Sequence, residues 1–158
     1  MKVTPTIDGG LRIDPETDED WHVLRAIALD ANGLEKDLAS RLGGLITDER
    51  LAEDWEEIIV PDLRESFADA LDHIYAAIET AAAFPQDGET PIWIKPDDAL
   101  TWYSALNQAR LTLEEKYKFG PEPDADSPTL APLRHEAWMR SRFYCALQSF
   151  IIEHSLTV

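Results

Sequence analysis

The sequence predicts a mainly α-helical fold, a helical bundle with a small two- or three-stranded antiparallel β-sheet near the N-terminus. Apolar residues recur at the period of an α-helix over most of the chain, whereas strand-like runs are confined to residues 3–13 and 92–95. Glycine and proline separate the periodic segments. The chain has 158 residues, 44% of them hydrophobic, so we expect one domain over residues 1–158 with its own core.

A β-hairpin is predicted at the start of the chain. Two short apolar runs, residues 3–7 and 11–13, flank a turn that contains Gly9 and Gly10. Glycine adopts the positive φ of such a turn without a steric penalty. The apolar run at residues 92–95 is expected to pair with this hairpin and to complete the sheet.

The first helix is predicted to begin at Asp14 and Pro15. A carboxylate can cap a helix, and the proline ring fixes φ at the first helical position. We expect this helix to end at Asn32 and Gly33, which are typical of helix C-termini. A second helix is expected at about residues 34–42.

A longer helical region is expected from about residue 48 to residue 83, capped by Thr47 or Asp48. Pro61 should kink or break it, since proline removes a backbone donor and its ring clashes one turn back. Before the proline, four residues form an apolar stripe of the kind that a helix buries: Leu51, Trp55, Ile58 and Ile59. The glutamates on the other side are interpreted as a solvated face: Glu49, Glu53 and Glu57.

Two further helices are predicted in the C-terminal half, at about residues 96–118 and 133–153. The proline-rich acidic stretch between them, residues 120–132, is expected to be an exposed loop. The last helix is apolar over much of its circumference. We therefore expect it to lie at the centre of the bundle or across a two-fold interface.

The charge of the chain excludes several classes of partner. Asp and Glu number 31 against 14 Lys and Arg, which gives a formal net charge of −17. Such a surface repels a phosphate backbone and an anionic membrane, so we expect no nucleic-acid partner and no membrane partner. It favours solubility and is compatible with a basic partner, and the alternative is that the acidic residues only solvate the outward faces of the helices. Without a signal-like or membrane-spanning run, the chain is expected to be cytoplasmic.

No pattern of residues indicates catalysis, a cofactor or a metal. Cys145 is the only cysteine, so a disulfide within the chain and a cysteine-based zinc site are both impossible. Glu19 and His22 form one Glu-x-x-His pair, whereas di-iron bundles use two. Glu65, Asp69 and His73 stack on one helical face, but that face lies opposite an apolar stripe and is interpreted as solvated. Phosphate loops and nucleophile motifs are absent from the sequence.

Arg110 is the most unusual position. It projects from the middle of an apolar helical stripe, between Tyr103 and Tyr117, and Asn107 lies at the edge of the same face. A guanidinium there is costly unless it is paired, so we predict a partly buried Arg110 bonded to a carboxylate of another helix. The candidate carboxylates are Glu114 on the same helix, and Asp20, Glu136 and Glu153 elsewhere. A pocket for an organic anion, lined by Arg110, Asn107 and the tyrosines, is the alternative.

The run from Trp102 to Leu113 resembles the signature of the DUF2017 family of uncharacterised bacterial proteins. The residues that carry the resemblance are Trp102, Leu106, Asn107, Arg110, Leu111 and Leu113. The order of elements agrees as well, including the Pro-Asp-Leu-Arg run at 61–64, the Ile-Trp-Ile strand, and a closing helix with Trp138 and Gln148. The resemblance implies no established activity, catalytic residue or cofactor. It implies a link with regulated proteolysis, because in actinobacteria the family's genes tend to lie beside the gene of the Clp protease adaptor.

These observations lead to two functional hypotheses. The first is a non-catalytic protein-interaction module, binding a protein partner or associating with itself as a homodimer. The second is a binding protein or enzyme for an organic anion, with its pocket around Arg110. A carboxylate paired with Arg110 would favour the first hypothesis, and a solvent-filled concavity beside it would favour the second.

Overall fold

A computed structural model describes residues 1–120 and 132–156 of the chain. It confirms a mainly helical fold with a small antiparallel sheet near the N-terminus. The described elements are β1 (Lys2–Pro5), β2 (Leu11–Asp14), α1 (Asp18–Ala31), α2 (Leu38–Leu42), α3 (Glu49–Asp54), α4 (Val60–Ala83), β3 (Ile92–Ile94), α5 (Ala99–Tyr117) and α6 (Pro132–Ile151). Short 3-10 turns lie at Gly43–Leu45 and Pro96–Asp98, and π-helical turns lie at Trp55–Ile59 and Ile152–Leu156.

The sheet has three strands in the order β1-β2-β3, as expected from the run at residues 92–95. Both pairs are antiparallel, and β2 is the central strand. Leu11 lies opposite Ile94 and Ile13 opposite Ile92, and all four side chains are buried in the core. The sheet therefore packs against the helices with its apolar face towards the core.

The first helix begins later than predicted. Asp14 is the last residue of β2, paired with Lys2, so its backbone belongs to the sheet and cannot start a helix. Thr17 caps α1 instead: its hydroxyl accepts a hydrogen bond from the Asp20 amide at 3.2 Å, and the Asp20 carboxylate accepts one from the Thr17 amide at 3.2 Å. This reciprocal capping box depends on threonine and an acid three residues later. The predicted end at Asn32 is confirmed.

Two further helices are also capped at their N-termini by a side-chain oxygen that accepts a hydrogen bond from a backbone amide. Asp37 caps α2, which is shorter than the predicted helix at 34–42, through a 2.9 Å bond from the Ser40 amide. Asp48 caps α3 through a 3.0 Å bond from the Leu51 amide, so the prediction of a cap at Thr47 or Asp48 is confirmed.

Pro61 neither breaks nor ends the helical region. It lies in the first turn of α4, directly after the π-helical turn Trp55–Ile59. In that turn the amide of Val60 bonds the carbonyl of Trp55, five residues back. The wider turn relieves the clash that a proline ring makes in a regular helix, and the chain continues to Ala83 as predicted.

The centre of the bundle is α5, which packs against α1, α4 and α6. The last helix is therefore not at the centre of the bundle, and the alternative, a two-fold interface, stays a prediction. Helix α6 buries a single face, formed by Ala137, Tyr144, Leu147, Gln148 and Ile151. Its other apolar residues are half-buried or exposed: Trp138, Met139, Phe143, Ala146 and Phe150. Most of the stretch expected to be a loop, residues 121–131, lies outside the described residues.

Gly10 provides a test of how tightly the sheet is built. A Cβ atom on this buried residue would lie 2.5 Å from the carbonyl oxygen of Ile94, which belongs to the neighbouring strand. We predict that Gly10→Ala lowers the free energy of unfolding by about 1–3 kcal/mol, because the strands must move apart. Urea unfolding of the two proteins measures this difference.

Gly44 is the matched control, since a Cβ atom there would have no neighbour within 4 Å. Gly44→Ala is expected to change the free energy of unfolding by less than about 0.5 kcal/mol. Equal stabilities of the two variants would contradict the close packing at Gly10.

Candidate functional site

Exposed apolar side chains follow one another along the chain from the end of α2, through α3, to the π-helical turn after it. We call this set the α3 surface, and it consists of Leu42, Leu45, Leu51, Ile58 and Ile59. Leu51 is 59% exposed and Ile58 is 62% exposed. The prediction that this stripe faces the core is therefore wrong, apart from the half-buried Trp55. A buried stripe needs a neighbouring element to cover it, and the described elements leave these side chains in solvent.

Trp55 anchors this segment to the rest of the protein. Its indole Nε1 donates a hydrogen bond to the carbonyl of Ala39 at 3.3 Å. Its ring lies so close to Gly43 that a Cβ atom there would be 2.5 Å from the ring carbon Cδ1. Leu38, Ala39 and Val60 are also buried here, although they do not belong to the main core cluster. The segment is thus held on a small satellite core, and its apolar neighbours remain uncovered.

Carboxylates surround the α3 surface. We call these residues the acidic frame, and they are Asp48, Glu49, Glu53, Asp54, Glu56 and Glu57. All six are exposed, and Arg50 is the single base between residues 42 and 59. Asp48 caps α3, and no ion pair among the described residues involves any of the six. Six carboxylates against one arginine leave this segment strongly negative.

A buried ion pair joins the first and the last described helices. The carboxylate of Asp30 accepts hydrogen bonds from Nε and Nη2 of Arg140 at 2.8 and 2.9 Å, and one from the hydroxyl of Tyr144 at 2.8 Å. Burial, followed by the charge of Asp30, raises the pKa of Tyr144 far above its ordinary value. The bonds to Asp30 raise the pKa of Arg140. Sequence reasoning missed this site, although Arg140 lies on the buried face of α6 between Ala137 and Tyr144.

Arg110 is not paired with a carboxylate, so that prediction is wrong. The half-buried side chain donates from Nη1 to the Oε1 atom of Gln148 at 2.5 Å, and Gln148 in turn donates to the carbonyl of Tyr103 at 3.3 Å. The Nε atom of Arg110 is buried without a partner. None of the four candidate acids pairs with it among the described residues. A neutral amide supplies the acceptor on α6, and Arg140 on that helix is bound to the carboxylate of Asp30.

A small hollow of about 210 Å³ lies beside Arg110. Its walls include Arg142, Glu114, Trp138 and Phe119. The other three predicted site residues do not line it. Tyr103 packs against the core, Asn107 is half-buried, and Tyr117 stacks on Phe119 with the ring centroids 5.8 Å apart. The structure thus shows a concavity at Arg110, but it does not bring the four predicted residues together.

The other sequence candidates are exposed. Glu19 and His22 lie on the surface of α1, and Glu65, Asp69 and His73 line one groove of α4. His73 approaches the carboxylate of Asp98 with 3.4 Å between Nε2 and Oδ1. Within residues 1–120 and 132–156, no three metal-ligating side chains converge on one point. In the same part of the chain, no helix combines the length and the apolar character that crossing a membrane requires.

Comparison with protein families gives one match. A family model described as a domain of unknown function, DUF2017, matches residues 9–153. The chain belongs to the DUF2017 family. Comparisons with curated proteins and with solved structures gave no match. The part of this DUF2017 chain that matches includes the α3 surface, Asp30, Arg110 and Arg140, so all of these lie within the family domain.

The two half-buried arginines make a matched pair for measurement. Arg140→Met would leave the Asp30 carboxylate buried with only Tyr144 as a donor, and we predict a loss of about 3–5 kcal/mol in the free energy of unfolding. Arg110→Met removes one bond to a neutral amide, so its expected cost is about 1 kcal/mol. Urea unfolding of the two variants gives both values. Equal losses would contradict the assignment of Arg140 as the arginine with a buried carboxylate partner.

Proposed function

We propose that this DUF2017 protein is a non-catalytic protein-interaction module and that the α3 surface is the face that meets its partner. The observation that carries the proposal is the clustering of five large exposed apolar side chains within residues 42–59. Single exposed leucines are ordinary on a protein surface, whereas a contiguous apolar patch with a polar rim is typical of an interaction site.

The local construction supports a role in binding. Trp55 and Gly43 hold the segment in place, so the apolar side chains are presented in a defined arrangement before any partner arrives. A pre-ordered surface loses less conformational entropy on association than a mobile one. The acidic frame keeps the exposed patch soluble. A cytoplasmic protein of regulated proteolysis, as the family resemblance implies, is the kind of partner we propose.

Site-specific crosslinking tests this function. A photoreactive amino acid at position 58, in the middle of the α3 surface, should capture a partner in the host cell, because a docked partner contacts that position. The same amino acid at Ile7, an exposed residue of the β1–β2 turn, is the positional control. We expect the purified partner to bind the double variant Leu51→Glu, Ile58→Glu (L51E/I58E) at least about tenfold more weakly than the wild type, with an unchanged melting temperature.

The matched control is Ile7→Glu, Leu29→Glu (I7E/L29E), which adds the same charge at two other exposed apolar positions. It should bind the partner as the wild type does. The proposal fails if position 7 captures the same proteins as position 58, or if L51E/I58E binds the purified partner with full affinity.

The hollow at Arg110 favours a second candidate function, the binding of a small organic anion. Arg110 and Arg142 line it, and the printed side-chain partner of Arg110 is the neutral amide of Gln148, which fits the anion-binding hypothesis. Its volume of about 210 Å³ is below the range of ordinary ligand pockets, about 300–1,000 Å³, and Glu114 in its wall opposes a negative ligand. For these reasons it ranks second.

Thermal shift measurements with acetate, succinate and citrate test the anion site. A ligand that binds only the folded protein stabilises it, by about 2.7 kcal/mol at 100 times its dissociation constant. We expect any such rise in melting temperature to be lost in Arg110→Met, because that variant lacks the guanidinium. An equal rise in the wild type and in the variant would assign the effect to bulk salt and remove the second candidate.

A further inference from the structure

We infer that the α3 surface binds an amphipathic helix whose apolar side chains are flanked by lysine and arginine. This inference rests on the proposed function, and it adds the chemistry of the partner. Its basis is the interleaving of apolar and acidic residues in one short segment. Glu53 and Asp54 lie between Leu51 and Trp55, and Glu56 and Glu57 lie between Trp55 and Ile58.

The acidic residues between the apolar ones determine which charge the partner must carry. A partner that covers Leu51 and Ile58 must bring its own flanking side chains close to the acidic frame. Those carboxylates have no cation of the described chain beside them within ion-pair distance. Burying them next to an apolar or acidic rim would cost desolvation without compensation, whereas lysine or arginine supplies a charge-assisted bond to each. The complementary rim is therefore basic.

The dimensions favour a helix as the bound element. Residues 49–54 form α3 and residues 55–59 a π-helical turn, so together they extend for at most about 16 Å, the length of eleven residues at the rise of an α-helix. The exposed apolar residues on that length are Leu51 on α3 and Ile58 and Ile59 on the π-helical turn. A partner helix of two to three turns presents apolar residues at i, i+3, i+4 and i+7 over the same distance.

A second copy of the chain does not meet these requirements. Docking α3 surface on α3 surface would bring two acidic frames together, and like charges face to face are unfavourable. The most basic helix of the chain is α6, but its arginines are engaged internally. Arg140 is bonded to Asp30, and Arg134 donates to the carbonyls of Tyr117 and Lys118. An anionic membrane would be repelled by the same acidic frame.

Two designed helical peptides test the inference with the full-length protein. Both carry the same leucine stripe, and their remaining positions are lysine in one and glutamate in the other. We expect the lysine peptide to bind at micromolar concentration by fluorescence anisotropy and the glutamate peptide to bind at least about 100-fold more weakly. Raising the salt concentration from about 50 to about 200 mM should weaken the binding of the lysine peptide.

Two variants separate the apolar contribution from the charge. L51E/I58E should bind the lysine peptide at least about tenfold more weakly although it is more acidic than the wild type, while I7E/L29E should not lose affinity. The neutralised variant E53Q/D54N/E56Q/E57Q should bind about tenfold more weakly and lose most of the salt dependence. All the exchanged residues are exposed, so circular dichroism should show unchanged folds.

The outcomes distinguish this inference from the proposed function. Full affinity of L51E/I58E for the lysine peptide would overturn it, because the attraction would then come from net charge alone. No binding of the lysine peptide by the wild type, or equal binding of both peptides, would overturn it as well. If the crosslinked partner is lost with L51E/I58E but binds the neutralised variant normally, the proposed function stands and the basic helix is wrong. A dimer that L51E/I58E dissociates would make a second copy the occupant and overturn the inference.

Discussion

The contact between Asp30, Arg140 and Tyr144 joins the last turn of α1 to the middle of α6 and restricts how these two helices can pack. Asp30 and Arg140 are separated by 110 residues in the chain. A buried ion pair adds little net stability over an apolar pair, but a mispaired one is strongly unfavourable. The pair therefore excludes other registers of α6 against α1. With both helices fixed on their sides of α5, and α4 on a third side, α5 becomes the enclosed centre.

Because the main core is built around α5, the segment of α2 and α3 is not needed to complete it. The main core is completed by β2, β3 and the helices α1, α4, α5 and α6. The segment of α2 and α3 packs on the start of α4 through its own small cluster, with Trp55 against Gly43. Its apolar side chains are not needed to close the core. They are free to serve a contact with another molecule, at the cost of exposing apolar area to water.

The periodicity of the apolar residues was sufficient to predict most helices and strands of this fold. It was not sufficient to predict the polar contacts between them. The sheet and the end of α4 at Ala83 follow from local patterns. The pairing of Arg140, and not of Arg110, with a buried carboxylate does not follow from them. Three neighbours enclose α5 and bury about half of its circumference, from Ala99 through Trp102 to Ala109. When a helix buries half of its circumference, the spacing of its apolar residues does not identify the centre of the buried face. A rotation of α5 by one residue places Arg110 at the edge of that face instead of at its centre. The α3 stripe was visible as apolar, but its lack of cover is a tertiary property.

The positions of the lysines and arginines bear on the charge around the α3 surface. Several of the 14 lysines and arginines form ion pairs within the chain, among them Arg12 with Asp14 and Glu89, Arg25 with Glu79, Arg64 with Asp37, Lys118 with Glu115, and Arg140 with Asp30. No ion pair among the described residues involves the acidic frame. A field of one sign steers an oppositely charged partner and accelerates its association, more strongly at low salt. The acidic frame thus makes the charge around the α3 surface a determinant of which partners arrive, while the apolar side chains determine which of them stay.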